Sequence, residues 1–178
     1  MSTSAVGYIK DMLSFIHGGF RDARSGQTDE QLHFVPDGES HSVAWVLWHA
    51  ARVEDLLVQG AWQGKQEIWR EGNWAEKTGL PQRGFGTGQS TEEASAVAIG
   101  DMDAFWAYQD AVNESTHAFL DSLSDEDLAR EVKLGEATET LGQSITLHLC
   151  THLNGHRGEI NLIRGMHGLD PVRPNMGG

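Results

Sequence analysis

Four stretches of the chain repeat apolar residues at intervals of three and four, the spacing of one helix face. The first covers residues 4–24, with Val6, Ile9, Leu13, Ile16 and Phe20 on one side and Lys10, Asp11, Arg21 and Asp22 on the other. The second runs from about Ser40 to Gln59 and stops at Gly60, with Val43, Val46, Leu47, Ala50, Val53 and Leu57 spaced for burial. The third, about 91–122, opens on the capping box Ser90-Thr-Glu-Glu93 and places Ala94, Ala98, Phe105, Tyr108, Val112 and Phe119 inward; Gly100 marks a bend. The fourth runs from about Leu141 to Met166 and ends at Gly168, with Pro171 beyond. Strand signal is confined to residues 131–139, where Val132 and Leu134 alternate. Four amphipathic helices with so little strand predict an all-α fold, a four-helix bundle forming one domain over residues 1–178.

The connections differ in character. Residues 25–39 are polar, with Pro36, Asp37 and Gly38 as turn residues. Residues 61–90 form a long irregular stretch carrying Trp62, Trp69 and Trp74, which are expected to pin it across the bundle, as a lid or pocket wall or as plain packing. Its Gly84, Gly86 and Gly88 do not make a nucleotide loop, because no strand precedes them and no Lys-Ser/Thr follows.

The chemistry concentrates in the fourth helix. His148, His152 and His156 recur every four residues, so on a regular helix they form one stripe. Leu149, Leu153, Ile160 and Ile163 lie on or beside that stripe and turn it toward the core. Neutral imidazole is a common zinc and nickel ligand, and an i, i+4 pair grips one ion. At 1.5 Å per residue the stripe spans about 12 Å, too far for three ligands on one ion. The economical set is His152 and His156 with a histidine from another helix, and His49, mid-helix among Val, Leu and Trp, is the candidate. Each of these residues also fits an ordinary solvated or hydrogen-bonded core histidine. His148 is expected outside the ligand set, orienting His152 or touching substrate. Trp45 and Arg52, one turn either side of His49, are candidates for shaping a pocket; a surface ion pair would equally explain Arg52. Glu54 and Glu159 are possible partners of the ligands. His17, His33, His41, His117 and His167 receive no site role.

Composition narrows the classes. The chain carries 26 Asp+Glu against 13 Lys+Arg, which disfavours nucleic acid and anionic membrane surfaces as partners. Residues 91–131 alone hold eleven carboxylates and one base, Arg130, as expected of an exposed acidic face. No apolar run approaches membrane-spanning length and no signal-peptide core is visible, so a cytoplasmic protein is expected. Cys150 is the only cysteine, and it points about 200° around the helix from His152. It reads as a small buried residue, not a nucleophile.

Two segments, Val46-Leu-Trp-His49-Ala-Ala-Arg-Val-Glu54 and His152-Leu-Asn-Gly-His156-Arg-Gly-Glu159-Ile160, resemble the DinB/YfiT-like family of small four-helix-bundle metalloproteins. Gly86-Thr-Gly88, Leu123-Ser-Asp-Glu-Asp-Leu128 and Arg164-Gly-Met-His-Gly168 add support. The resemblance covers nearly the whole chain, although only the His-x3-His-Arg-Gly segment is specific. It implies an up-down-down-up bundle, frequent homodimers, and a divalent ion, often nickel or zinc, on three histidines, here His49, His152 and His156. Relatives include thiol-dependent enzymes such as mycothiol-dependent maleylpyruvate isomerase and bacillithiol transferases. The implied function is a metal-dependent enzyme, either a transferase joining a low-molecular-weight thiol to a small molecule or a hydrolase. The alternative is a non-catalytic bundle whose ion serves structure or sensing.

Overall fold

The computed structural model describes residues 4–38 and 40–172. The single-domain expectation also took in residues 1–3, 39 and 173–178, which lie outside the described residues.

Each long helix begins where the sequence supplies oxygens to its first amides. Helix α1 (Ala5–Arg21) is capped by the Ser4 side chain, which accepts from the Gly7 amide. The distant Asp125 carboxylate also accepts from the amides of Ala5 and Val6, at 3.0 and 2.9 Å. A carboxylate there meets the positive end of the helix dipole. The α1 stripe Val6, Ile9, Leu13, Ile16 and Phe20 is buried as its spacing requires. A short helix α2 (Asp29–Leu32) follows, opened by a Thr28–Gln31 capping box. Helix α3 (Val43–Asp55) starts on Ser42, whose hydroxyl accepts from the Trp45 amide. It runs on through a π-helical turn, Leu56–Ala61.

The pattern predicted one buried face for α3, but every residue from Val43 to Arg52 is buried. The reason is the connection that follows, which folds over the outer face and is not structureless. It contains α4 (Ile68–Glu71) and α5 (Trp74–Thr78). Asp55 accepts from the amides of Ile68 and Trp69 at 2.9 and 2.8 Å and from the Tyr108 hydroxyl at 3.0 Å. A buried carboxylate is tolerated only with donors of this kind. Trp69 is buried edge-on against Tyr108, and the Trp62 indole donates to the Ser144 hydroxyl at 3.0 Å. Two of the three tryptophans are thus anchored in the core, while Trp74 is partly buried against it.

The expected third helix is two. Helix α6 (Thr91–Ser95) uses the Ser90–Glu93 capping box, and α7 (Met102–Asp121) restarts on Asp101, whose carboxylate accepts from the Ala104 amide. Between them the Gly100 amide donates to the Thr78 carbonyl at 2.8 Å. A Cβ at position 100 would lie 3.2 Å from that oxygen, so the close approach favours glycine. The extended segment is an antiparallel hairpin, β1 (Glu131–Leu134) on β2 (Ala137–Thr140), with Leu134 opposite Ala137. The last helical stretch opens as α8 (Leu141–Ser144), passes through a π-helical segment (Ile145–Thr151) and continues as α9 (His152–Met166).

Helix α1 packs on α7 and α9, and α3 packs on the same two. Leu13, Leu47, Trp48, Phe105, Ile145 and Ile160 fill the space between them. Each such buried side chain contributes roughly 1.5–3 kcal/mol. The protein is therefore mostly helical, and α3 meets α9 in the interior. Among the described residues, no helix is long and apolar enough to cross a membrane.

Candidate metal centre

His49 comes from the buried middle of α3, and His152 and His156 come from the first turns of α9. Their rings stand nearly perpendicular, with His49 at 70° to His152 and 79° to His156. The edges turn one nitrogen of each toward a common point. His152 Nε2 lies 3.1 Å from His49 Nε2 and 3.0 Å from His156 Nε2. One ligand atom from each residue lies within 4.8 Å of the other two.

The opposite ring nitrogens show which tautomers are present. His49 Nδ1 meets the Phe85 carbonyl, which can only accept, so the proton sits on Nδ1 and the Nε2 lone pair faces inward. His156 Nδ1 is 2.9 Å from Glu159 Oε2. The His156 hydrogen bond holds the Glu159 carboxyl below its ordinary range, so Glu159 is the acceptor, the proton lies on His156 Nδ1, and Nε2 of the neutral ring is the ligand atom. His152 Nδ1 is buried without a partner. Burial pushes both His49 and His152 down to about 4, with the neighbouring imidazoles adding to the effect on His152. Both are neutral at pH 7, the ligand form.

This donor set fits a divalent ion. Two lone pairs aimed at one point repel unless a cation or a shared proton lies between them. Ligands on one ion at about 2.0–2.1 Å, set 90–110° apart, are roughly 2.9–3.4 Å from each other. The two spacings from His152 Nε2, 3.1 and 3.0 Å, fall in that range. The outer nitrogens of two of the three histidines are held by a carbonyl or a carboxylate, the usual support of a metal-bound imidazole.

The remaining predicted residues are distributed as follows. Trp45 stacks on His49, with centroids 4.6 Å apart, and its indole donates to Gln89 Oε1 at 2.8 Å. Arg52 is buried; it pairs with Glu67 at 2.6 Å and Asp55 at 3.4 Å, lies over Trp69, and donates to the Gly84 carbonyl. Its guanidinium thus ties α3 to the connection. Glu54 bonds His17 and the Thr116 hydroxyl in the interior, away from the ligands, whereas Glu159 holds His156. His148 sits in the π-helical segment, where four residues fall short of a turn, and its Nε2 pairs with Glu139 at 3.0 Å. Cys150 is buried, and burial raises its thiol to about 12.

Three features were missed in the sequence. His41 stacks flat on Trp45 at 3.7 Å, extending a column His41–Trp45–His49. The signal was present, because His41 lies four residues before Trp45. The other two belong to the strap 84–89, namely the Phe85 carbonyl and Gly86. A Cβ on Gly86 would stand 2.7 Å from Trp45 and 2.9 Å from His49 Nδ1. A backbone oxygen leaves no trace in side-chain identity, and only the closely spaced glycines hinted at it.

The sequence matches the DinB superfamily over residues 18–160, most of its length. The chain belongs to the DinB superfamily. Two solved structures share the DinB-like fold of this chain. A conserved protein from Enterococcus faecalis superposes with a TM-score of 0.76 at 21% identity, covering 92% of this chain and 99% of that one. A DinB-like protein from Bacillus cereus superposes with a TM-score of 0.55 at 16% identity, covering 96% and 97%. No curated protein matches. Membership of the DinB superfamily and the histidine cluster together fit a metal-binding protein.

Proposed function

We propose that this DinB-superfamily protein is a divalent-metal-dependent enzyme that joins a low-molecular-weight thiol to an electrophilic small molecule. The observation that carries the proposal is the convergence of three imidazole nitrogens on one point, with the tautomers of His49 and His156 set from behind. His49, His152 and His156 would hold the ion, with nickel or zinc best suited to an all-imidazole set. An ion there supplies positive charge that lowers the pKa of a thiol brought against it.

The chain's own residues have supporting roles. The Phe85 carbonyl keeps the proton on His49 Nδ1, and Glu159 keeps it on His156 Nδ1. Trp45 and His41 wall one side and limit water. The sulfur comes from a cosubstrate, because the Cys150 thiol is buried and pushed up to about 12. In the reaction the sulfur forms a bond to an electrophilic carbon, the leaving group departs with the bonding pair, and the thiol proton passes to solvent.

The same reading includes an up-down-down-up order for α1, α3, α7 and α9, a cytoplasmic location, and a homodimer. Exposed Tyr8, Met12 and Leu147 supply apolar surface for a second copy.

The test uses nickel- or cobalt-loaded protein. Added cysteine is expected to change the visible spectrum, and monochlorobimane is expected to be consumed faster than without protein, as sulfur displaces chloride. No spectral change and no turnover would overturn the transferase reading and leave an ion that serves structure.

A further inference from the structure

A cavity of about 440 Å³ opens beside the histidine cluster, between residues 36–37 and 40–41 on one side and the second half of α9 on the other. Its floor is apolar. Ile163 is buried beneath it, while Leu162 and Met166 are 69% and 53% exposed, an unusual share of water for such side chains. Its polar rim is Asp37, Ser40, His41 and Glu159. Two of these reach the histidine cluster. Glu159 bonds His156 Nδ1, and His41 stacks on Trp45, which stacks on His49. The size lies within the usual range for small-molecule sites.

The charges on the rim have one sign. Asp37 and Glu159 are carboxylates, and no Lys or Arg lines the cavity among the described residues. Burial holds His41 below its ordinary value, which disfavours its charged form. The chain as a whole carries a formal charge of −13. A carboxylate or phosphate ligand would be repelled, whereas an ammonium group would meet two acceptors with its apolar body on Leu162 and Met166.

We infer that this cavity is the subsite for the organic acceptor, and that it selects compounds with an apolar body and a cationic or hydrogen-bond-donating head over anionic ones. The role as acceptor subsite rests on the proposed transferase reading; the charge preference of the cavity does not.

The experiment compares benzylamine, benzyl alcohol and benzoate by titration into isotopically labelled protein, metal-stripped and nickel-loaded, following backbone amide shifts. Benzylamine is expected to bind at least about tenfold more tightly than benzoate, moving amides of residues 36–41 and 159–166 in both forms. The acidic surface alone would favour an amine, so variants are needed to localise the effect. Asp37 has a left-handed backbone, φ 52°, which Asn adopts equally well, so Asp37→Asn removes charge without disturbing the turn. It is expected to weaken benzylamine roughly threefold to fivefold and leave benzyl alcohol unchanged. Leu162→Ser with Met166→Ser, both at exposed positions, is expected to weaken both by about tenfold. In the nickel-loaded protein, benzylamine is expected to alter the visible spectrum through Glu159 and His156. Equal binding of benzoate, shifts mapping elsewhere, or insensitivity to Asp37→Asn would each overturn the inference, and an unchanged nickel spectrum would overturn its acceptor role. Failure to take up nickel at all would instead overturn the proposed function, with the stripped-protein titration still deciding the preference of the cavity.

Discussion

Replacing Gly86 by alanine separates two costs that the structure assigns to different atoms. Gly86 has φ +98°, where a side chain is strained, and its Cβ would stand 2.7 Å from Trp45 and 2.9 Å from His49 Nδ1. The strain costs about 1–3 kcal/mol. The contacts are too short to keep, and Trp45 and His49 are rigid rings packed in the interior. The strap must therefore move, taking the adjacent Phe85 carbonyl off His49 Nδ1. Losing such a support weakens metal affinity about 10–100-fold, or roughly 1.4–2.7 kcal/mol. Gly88→Ala is the control. Its φ is +82°, but nothing lies within 4 Å of the added Cβ, so it carries the strain alone. For a protein of this size, strain of about 1–3 kcal/mol lowers Tm by roughly 2–12 °C. Both variants should melt lower, and only Gly86→Ala should lose metal affinity in a competition titration against a chromophoric chelator. Wild-type affinity in Gly86→Ala, or an equal loss in Gly88→Ala, would refute the claim that the strap orients His49.

Two further outcomes follow from the interior and from the hairpin side. The buried His17–Glu54 pair, with nitrogen and oxygen 3.1 Å apart, is expected to cost about 3–5 kcal/mol when broken by Glu54→Gln. Burial alone would raise the Glu54 carboxyl, but His17 and the Thr116 hydroxyl outweigh it and hold it below 4.5; that contribution is lost as pH falls through the lowered value. Burial alone would lower His17, but Glu54 outweighs it and holds the imidazole above 6.5; that contribution is lost as pH rises through the raised value. The stability gap between wild type and Glu54→Gln in urea unfolding should therefore be widest between pH 4.5 and 6.5 and narrow on both sides, and a flat gap would contradict it. His148→Ala, which removes only an exposed contact to Glu139, should keep metal affinity within about threefold of wild type; a chelator titration showing more than a tenfold loss would place His148 in the centre.

The sequence made the histidine cluster legible because helical spacing carries directional information. His152 and His156 are one turn apart, and the apolar residues around them showed which way they face. The long helices were legible for the same reason, and Ser42, Ser90 and Thr140 cap helices where the pattern begins. What escaped was non-local. The break at Gly100 depends on the carbonyl of Thr78, which no local pattern reveals. The full burial of α3 depends on a connection anchored through Asp55, Arg52 and Trp69. The π-helical segment ahead of His152 takes His148 off the regular stripe, and its residues have no propensity signature. Phe85 acts through its backbone, so the support for His49 could be found only in three dimensions.

In the proposed function, His49, His152 and His156 together hold one divalent ion. Metal content by elemental analysis, on protein as purified and after reloading with nickel or zinc, tests it directly in the wild type and in His49→Ala, His152→Ala and His156→Ala. One equivalent per chain is expected in the wild type and a clear loss in each variant, because each removes one of three converging nitrogens. Full stoichiometric metal in all three variants would contradict it.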